Sequence, residues 1–240
     1  MTLSAIIFDF DGVIADTERL HLRAFQDVLA EEGVELTPAE YTAHYLGRAD
    51  TEVFRIVARD RGFALDAARL QSLLTRKAAR YERFVAAGEV LIPGVAERVR
   101  AWSAALPLAV ASGARRVEVE SVLRTADLLD CFGAIVAAED VWHGKPAPDS
   151  YVLALDRLGA SGPRSASSAP VGGLQPGNVV AIEDSLSGLL SIKAAGMHAV
   201  AVTTNYPAEQ LVDAELVVSS VADLDLVMLE RLVSATRLGR

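Results

Sequence analysis

Short apolar runs alternate with helix-like segments over most of the chain. The run from Ser4 to Phe8 is apolar and rich in residues that favour strands. Comparable short runs recur at Leu108–Ala111, Ala134–Ala137, Val179–Ile182 and Ala199–Val202. Apolar runs of this length are typical of parallel strands buried on both faces. Their alternation with helical segments predicts a doubly wound α/β sheet, which binds ligands beyond the carboxyl ends of its strands.

The segment from about Thr17 to Gly88 has a different pattern, because apolar residues recur there at helical spacing. The spacing predicts amphipathic helices at Leu20–Glu32, Thr51–Arg61 and Ala67–Ala87. We therefore expect an α/β core domain of residues 1–16 and 89–240, interrupted by an α-helical cap domain of residues 17–88. The helical segment either only stabilises the core or closes over a site at the strand ends.

A stretch from Gly159 to Gly177 shows no periodicity and is rich in Gly, Ser, Ala and Pro. Compact domains rarely contain so long a connection without regular structure. We expect a surface loop before the strand at Val179, and the sequence indicates no role for it.

Charge and composition narrow the possible partners. The 240 residues carry a net charge of −9, which disfavours nucleic acids and anionic lipid surfaces as partners. Cys131 is the single cysteine, so an intrachain disulfide is impossible. No apolar run approaches the roughly 20 residues of a membrane span, and the N-terminal sequence lacks the basic start of a signal peptide. We expect a cytoplasmic protein with no membrane partner, either a monomer or a small homo-oligomer.

The first candidate for chemistry is the sequence DFDGVIADT, at residues 9 to 17. Asp9 and Asp11 are two apart on an extended chain, so their side chains start from the same side, and Gly12 permits a sharp turn after them. Paired carboxylates beside a turn can hold a hard cation. Solvated acids or helix caps are the alternative, which Phe8 and Phe10 make less attractive because they place the acids in an apolar strand.

Two further motifs offer groups for an anion. Ser112 and Gly113 follow the run at Leu108–Ala111, where a hydroxyl and backbone N–H groups can hold a phosphate. A simple turn or helix N-cap is the alternative. Lys145 lies in the sequence GKPAPD, whose prolines restrict the loop, and its compact charge can offset carboxylates and bind phosphate oxygens. An ordinary surface turn remains the alternative there.

A second acidic pair follows the run at Val179–Ile182. Glu183 and Asp184 in IEDSLSG could complete a magnesium site. The alternative is an acidic helix N-terminus, which the helix dipole favours.

The motifs DFDGVIADT, ASG, GKPAPD and IEDSLSG, in this order, resemble the four signature motifs of the haloacid dehalogenase superfamily. Within it they are similar to the branch with a helical cap after the first motif, which contains phosphoglycolate phosphatases and β-phosphoglucomutases. The resemblance covers essentially the whole chain. It implies a Rossmann-like core with the nucleophile after the first strand.

The resemblance also implies a mechanism. Asp9 would attack phosphorus and form an aspartyl phosphate, and Asp11 would act as general acid and then as general base. Ser112 and Lys145 would hold the phosphoryl oxygens. The ligands of a Mg²⁺ ion would be the side chain of Asp9, the backbone carbonyl of Asp11, Asp184, and Glu183 directly or through water. The second aspartate favours phosphate chemistry over dehalogenation.

Substrate choice would depend on the cap. By the resemblance, Thr17 lies at the hinge into the cap, His21 corresponds to a histidine of β-phosphoglucomutases, and Arg48 and Lys77 occupy the places of cations that face sugar phosphates. An ordinary helix-surface charge is the alternative for both cations. Arg115 could bind a second phosphate, and Gly12 and Gly113 would border the substrate.

Three functions follow from these residues. The first is a Mg²⁺-dependent phosphatase that acts on a small phosphorylated metabolite, a sugar phosphate or a phosphoglycolate-like compound. A β-phosphoglucomutase-type mutase is the alternative, favoured by His21 and Lys77 but disfavoured by Ala114, which stands where mutases carry a hydroxyl. A binding module without activity is weaker, because the residues that the chemistry requires are present.

Overall fold

The protein is described by a computed structural model, which places residues 2–46, 48–88, 90–161 and 174–235. The chain forms two compact units. The first comprises Met1–Ala15 and Leu91–Arg240, and the second comprises Asp16–Val90. The assignment of the second unit as a cap stays a prediction.

The first unit is built on a parallel sheet of six strands, as far as the described residues extend. The strands are β1 (Ala5–Phe8), β2 (Leu108–Ala111), β3 (Ala134–Val136), β4 (Val179–Glu183), β5 (His198–Val202) and β6 (Leu216–Val218). Their order across the sheet is β3-β2-β1-β4-β5-β6, and every neighbouring pair is parallel. The chain therefore adds strands outward from β1 on one side and then from β4 on the other. The carboxyl ends of β1 and β4 meet at this switch point, where such sheets bind ligands.

In chain order the helices are α1 (Thr17–Glu31), α2 (Pro38–His44), α3 (Asp50–Arg61), α4 (Ala67–Ala86), α5 (Val95–Ser103), α6 (Arg116–Thr125), α7 (Asp149–Ser161), α8 (Leu186–Ala194) and α9 (Leu226–Ala235). The second unit consists of helices α1 to α4, and helices α5 to α9 belong to the first unit with the sheet. Among the described residues, none of these helices combines the length and the apolar character needed to cross a membrane.

Both faces of the sheet are buried, which accounts for the uninterrupted apolar runs. All four residues of β1 are fully buried, and successive side chains point to opposite faces. Ile7 belongs to the apolar cluster that includes Tyr151 and Leu155 of α7. Phe8, on the other face, stacks on Trp102 of α5 with ring centres 6.0 Å apart. The predicted doubly wound α/β fold is confirmed.

The second unit has its own apolar core. It includes residues of all four helices α1 to α4, among them Phe25, Phe54 and Leu73, none of which is more than 1% exposed. Ion pairs add to the contact between α1 and α4, including Arg76 with Glu31 at 2.5 Å. The helical interpretation of this segment agrees with the structure.

Some element bounds differ from the sequence expectation. Strand β6 and helix α2 had no counterpart in the prediction, since both are short and β6 is only partly buried. The predicted loop from Gly159 is wrong at its start, because α7 continues to Ser161. A short 3₁₀ turn at Pro176–Asn178 occupies its end. Residues 162–173 of that loop lie outside the described residues.

Candidate active site

Three acidic residues meet at the switch point of the sheet. Asp9 follows β1, Glu183 ends β4, and Asp184 is the next residue. One carboxylate oxygen from each lies within 4.8 Å of the others, and all three residues are buried. Parallel pairing of Phe8 with Ile182 accounts for the proximity, because it brings the two strand ends to one level. Among the described residues, these three form the acidic cluster with the geometry of a cation site.

Lys145 reaches this cluster from the loop before α7. Its Nζ lies 2.6 Å from Asp9 Oδ1 and 2.6 Å from Glu183 Oε1. Ser191 of α8 fixes the loop by donating its hydroxyl to the carbonyl of Ala147 at 2.6 Å. Burial disfavours the charged form of Lys145, but the carboxylates of Asp9 and Glu183 outweigh it and raise the pKa of the lysine. Lys145 is therefore a fixed cation between two acids.

The carboxylate of Glu183 is held by several donors. Oε2 accepts hydrogen bonds from the backbone N–H of Asp184 at 2.8 Å and from the N–H and hydroxyl of Ser185 at 2.7 and 2.9 Å. Oε1 accepts from Lys145 and, at 3.2 Å, from the hydroxyl of Tyr151. Burial alone would raise the pKa of Glu183, but Lys145 and Ser185 lower it below the ordinary value.

Asp9 and Asp184 lack this degree of compensation. Burial, followed by the charge of Glu183, raises the pKa of Asp9 well above its ordinary value, although Lys145 opposes the shift. Burial and Glu183 likewise raise the pKa of Asp184 to about 7. Asp9 and Glu183 thus share one lysine yet shift in opposite directions, because Glu183 also accepts hydrogen bonds from Asp184 and Ser185. The site has an excess of negative charge.

The turn after β1 leaves room for Asp184. Gly12 has φ of +76°, and a Cβ atom there would lie 1.9 Å from Asp184 Oδ2. Asn205, in the segment after β5, donates its amide to the same oxygen at 2.5 Å. The backbone of Asp11, next to Gly12, pairs with that of Ala15 in an isolated β-bridge. A glycine at position 12 therefore both permits the positive φ of the turn and leaves space for the carboxylate of Asp184.

The residues predicted to bind phosphate follow β2. Ser112 is 1% exposed, and its Oγ accepts a hydrogen bond from the N–H of Ala114 at 2.9 Å. A Cβ atom on Gly113 would meet no other atom within 4 Å, so the backbone there is open. Arg115 pairs with Glu118 at 2.5 Å on the surface of α6. A second-phosphate role for Arg115 stays a prediction.

The other predicted substrate residues belong to the second unit. Lys77 is 1% exposed, with its Nζ 2.8 Å from both carboxylate oxygens of Asp50 and in contact with Nδ1 of His21. Arg48 pairs with Glu52, and its Nε donates to the carbonyl of His44 at 2.7 Å. Thr17 is buried at the start of α1. Their contact with a substrate stays a prediction.

The structure thus brings together Asp9, Lys145, Glu183 and Asp184 out of the residues that the sequence indicated. Two contributors to this cluster were missed, Tyr151 and Asn205, and so was Asp50, which pairs with Lys77 within the second unit. Tyr151 carries a weak signal, since it lies six residues after Lys145 in the same motif region. Asn205 and Asp50 had none, because each acts through a contact between segments far apart in sequence.

The residues of the cluster fit a divalent cation. Three carboxylates and one ammonium leave an excess of two negative charges if all ionise, which the raised pKa values of Asp9 and Asp184 reflect. Carboxylate oxygens are the ligands that Mg²⁺ prefers, and a doubly charged ion would balance the excess. Asp9 and Asp184, which receive fewer hydrogen bonds than Glu183, have the positions to hold it.

Comparison with known proteins agrees with this geometry. The sequence profile of the haloacid dehalogenase-like hydrolases matches residues 3–196. The chain is 30% identical to fructose-1-phosphate phosphatase YqaB of Escherichia coli strain K12 over 220 residues, covering 82% of this chain and 95% of that protein. It is 28% identical to β-phosphoglucomutase of Bacillus subtilis strain 168 over 243 residues, covering 95% and 94%.

A solved structure extends the likeness to three dimensions. The crystal structure of CbbY from Rhodobacter sphaeroides in complex with phosphate superposes with a TM-score of 0.66 at 30% identity. The superposition covers 93% of this chain and 96% of that one. Together with the profile match, these likenesses show that the chain belongs to the family of haloacid dehalogenase-like hydrolases.

Proposed function

We propose that this chain is a magnesium-dependent phosphatase that hydrolyses small phosphate monoesters through an aspartyl phosphate on Asp9. Sugar phosphates and phosphoglycolate-like compounds are the substrate class. One observation carries the proposal: the buried carboxylate of Asp9 lies at the switch point of the sheet, bound to Lys145 and beside Asp184. A nucleophile, a fixed cation and a set of cation ligands thus occupy the place where doubly wound sheets bind ligands.

In the first half-reaction, an oxygen of Asp9 forms a bond to phosphorus while the bond from phosphorus to the ester oxygen breaks. Asp11 gives a proton to the departing oxygen, which leaves as an alcohol. In the second half-reaction, water gives a proton to Asp11 and attacks phosphorus. The bond to Asp9 then breaks, and orthophosphate is released.

Two residues of the core hold the phosphoryl group in this scheme. Lys145 keeps its charge because two carboxylates flank it, and it places that charge beside the reacting oxygen of Asp9. The Oγ of Ser112 accepts from the backbone, so its own hydrogen is available for a phosphoryl oxygen. Preorganised donors of this kind provide most of the rate enhancement in phosphoryl transfer.

The side chains of Asp9 and Asp184 would hold the Mg²⁺ ion, with the backbone carbonyl of Asp11 and with Glu183 directly or through water. When bound, the ion would neutralise negative charge on the phosphoryl oxygens. Asn205 would orient Asp184 for this task, since it donates to Oδ2 of that residue.

A sugar phosphomutase is the second candidate, because it shares every residue of the core. The contact between His21 and Lys77, residues for which the resemblance points to β-phosphoglucomutases, favours this candidate. The relative of that name in Bacillus subtilis favours it as well. The two functions differ in whether water or a sugar hydroxyl takes the phosphoryl group from Asp9. A binding module without activity is weaker, since it gives no reason for so much buried charge.

The test is phosphate release by the purified protein from a panel of sugar phosphates and phosphoglycolate, with Mg²⁺ and with chelator. We expect release with Mg²⁺ and none with chelator. If phosphate is not released but β-glucose 1-phosphate becomes glucose 6-phosphate, the mutase is correct. If neither reaction is observed with any member of the panel, the proposal is contradicted.

A further inference from the structure

Tyr151 is a fully buried tyrosine whose polar end meets the charged cluster. It lies in α7, and its side chain is completely excluded from solvent. Its hydroxyl donates to Oε1 of Glu183 at 3.2 Å, and its ring centre lies 5.3 Å from Nζ of Lys145. Both distances suit favourable contacts, because a ring attracts a cation within about 6 Å of its centre. The residue therefore contacts both partners of one ion pair.

Glu183 itself has little freedom to move. Its two carboxylate oxygens receive hydrogen bonds from Lys145, Tyr151, Asp184 and Ser185, and Ser185 contributes two of them. Both oxygens are therefore restrained by several donors at once. Lys145 thus approaches an oxygen whose position is already fixed.

Gly188 closes the remaining side of this carboxylate. A Cβ atom at position 188 would lie 1.6 Å from Oε1 of Glu183, far closer than any real contact. Gly188 is in α8, and its N–H donates to the Oγ of Ser185 at 3.1 Å. The helix therefore uses a glycine where the carboxylate needs space.

We propose that Tyr151 is a positioning residue for Lys145, which it places against Asp9 by fixing Oε1 of Glu183 and by presenting its ring to the ammonium group. Lys145 lies 2.6 Å from both Asp9 and Glu183, so a shift of Oε1 moves the cation away from the nucleophile. Small displacements of a charged group matter in phosphoryl transfer, because the rate depends on where the reacting groups and charges are placed. The inference deepens the proposed function and rests on it.

A packing role alone is the competing interpretation, since Tyr151 also contributes to the apolar cluster beneath the sheet. The two roles differ in what they predict for Tyr151→Phe, which keeps the ring and removes the hydroxyl. A packing role predicts full activity in the folded variant. A positioning role predicts lower activity and weaker binding of a transition-state mimic, by the same factor.

The experiment compares the full chain with Tyr151→Phe, using the best substrate of the panel and, separately, calorimetric binding of orthovanadate in the presence of Mg²⁺. We expect kcat/KM to fall roughly three- to tenfold and the Kd of orthovanadate to rise by a similar factor. Tyr41→Phe is the matched control, because Tyr41 is also buried and donates to a carboxylate, Glu18 Oε2, at 2.7 Å. It should leave both quantities within about twofold.

Gly188→Ala provides a second, independent displacement of Glu183 with Tyr151 intact. We expect it to lower kcat/KM and orthovanadate affinity at least as much as Tyr151→Phe. Either variant, if folded with both quantities within about twofold of the unaltered chain, would overturn the inference. An unaltered chain that binds orthovanadate without releasing phosphate would instead refute the hydrolase proposal, and the binding comparison would still test Tyr151.

Discussion

Each unit contains a lysine held by acidic partners, half-buried Lys145 in the first and buried Lys77 in the second, and the two are in different electrostatic surroundings. Lys145 lies between the carboxylates of Asp9 and Glu183, with Asp184 beside them. Lys77 pairs with the carboxylate of Asp50, and its ammonium faces the rings of Phe25 and Tyr81 at 4.7 and 5.6 Å. Lys145 thus lies in a cluster of three buried acids, whereas the acid paired with Lys77 is partly exposed to solvent.

The solvent exposure of the partner acids differs as well. The side chains of Asp9 and Glu183 are 9% and 0% exposed, while that of Asp50 is 35% exposed. Water can therefore solvate Asp50 but not the acids around Lys145. A buried lysine is not itself evidence of catalysis. The excess of buried negative charge around Lys145 is what distinguishes a site that can hold a cation.

The largest effect is expected from the nucleophile. Asp9→Asn removes the attacking oxygen's charge and should lower phosphate release by about a thousandfold or more. It also removes one carboxylate from a crowded cluster, so the free energy of unfolding in chelator should be unchanged or higher. Steady-state kinetics and urea unfolding check both. Hydrolysis at the normal rate would show that another residue is the nucleophile.

Replacing each lysine by methionine tests the comparison directly. Lys145→Met leaves two buried carboxylates without their cation, and in chelator it should cost about 3 to 5 kcal/mol of unfolding free energy. Lys77→Met leaves one acid that water can reach, so its cost should be smaller, about 1 to 3 kcal/mol. Urea unfolding of both variants measures the difference.

Activity should separate the same two variants. Lys145→Met should lower kcat by about a hundredfold or more, because the fixed cation beside the nucleophile is lost. Lys77→Met should act mainly on KM and on the choice of sugar phosphate. Equal losses of kcat in both variants would remove the distinction between the two lysines.

The acidic cluster should also make stability depend on pH when no metal is bound. The pKa of Asp184 is raised to about 7 in the folded chain, against about 3.9 when unfolded. The folded state then binds more protons over this window, so the free energy of unfolding should fall as pH rises from about 4 to about 7. Asp9 shifts in the same direction and steepens the fall.

Urea unfolding at a series of pH values in chelator measures this slope. Asp184→Asn should flatten it, and Mg²⁺ should restore stability near neutral pH, since a bound cation replaces the protons. If the free energy of unfolding in chelator instead rises between about pH 4 and pH 7, the excess of negative charge assigned to the cluster is wrong.

A smaller effect is expected from Asn205, which contacts the cluster from outside. Asn205→Ala removes the donor to Oδ2 of Asp184, so the carboxylate loses its orientation. We expect the Mg²⁺ concentration for half-maximal activity to rise about tenfold with little change in kcat at saturating metal. Thr203→Ala, two residues earlier, serves as the control. An unchanged Mg²⁺ requirement would remove Asn205 from the site.

The sheet was predictable because its strands are buried on both faces. Runs such as Leu108–Ala111 are apolar at every position, and that pattern is typical of buried parallel strands. Strand β6 at Leu216–Val218 is also apolar at every position, but it has only three residues, all half-buried, so the pattern is too short to stand out. Helix α7 continues past Gly159 because an isolated glycine, though unfavourable, does not end a helix that tertiary contacts support.

The site was predictable only where its residues follow strands or lie in motifs. Asp9, Glu183 and Asp184 follow two apolar runs, so their approach follows from the topology of the sheet. Tyr151 and Asn205 reach the cluster by side-chain contacts that no local pattern encodes. The pairing of Lys77 with Asp50 is of the same kind, since it joins residues of α3 and α4.

The covalent intermediate is the most direct test of the central claim. The full chain is mixed with its best substrate and Mg²⁺, quenched in acid within the first turnover, and digested for mass spectrometry. We predict a phosphoryl group on the peptide that contains Asp9, absent from Asp9→Asn and from the sample in chelator. A phosphoryl group on a different residue, or turnover with no phosphorylated peptide, would contradict the account.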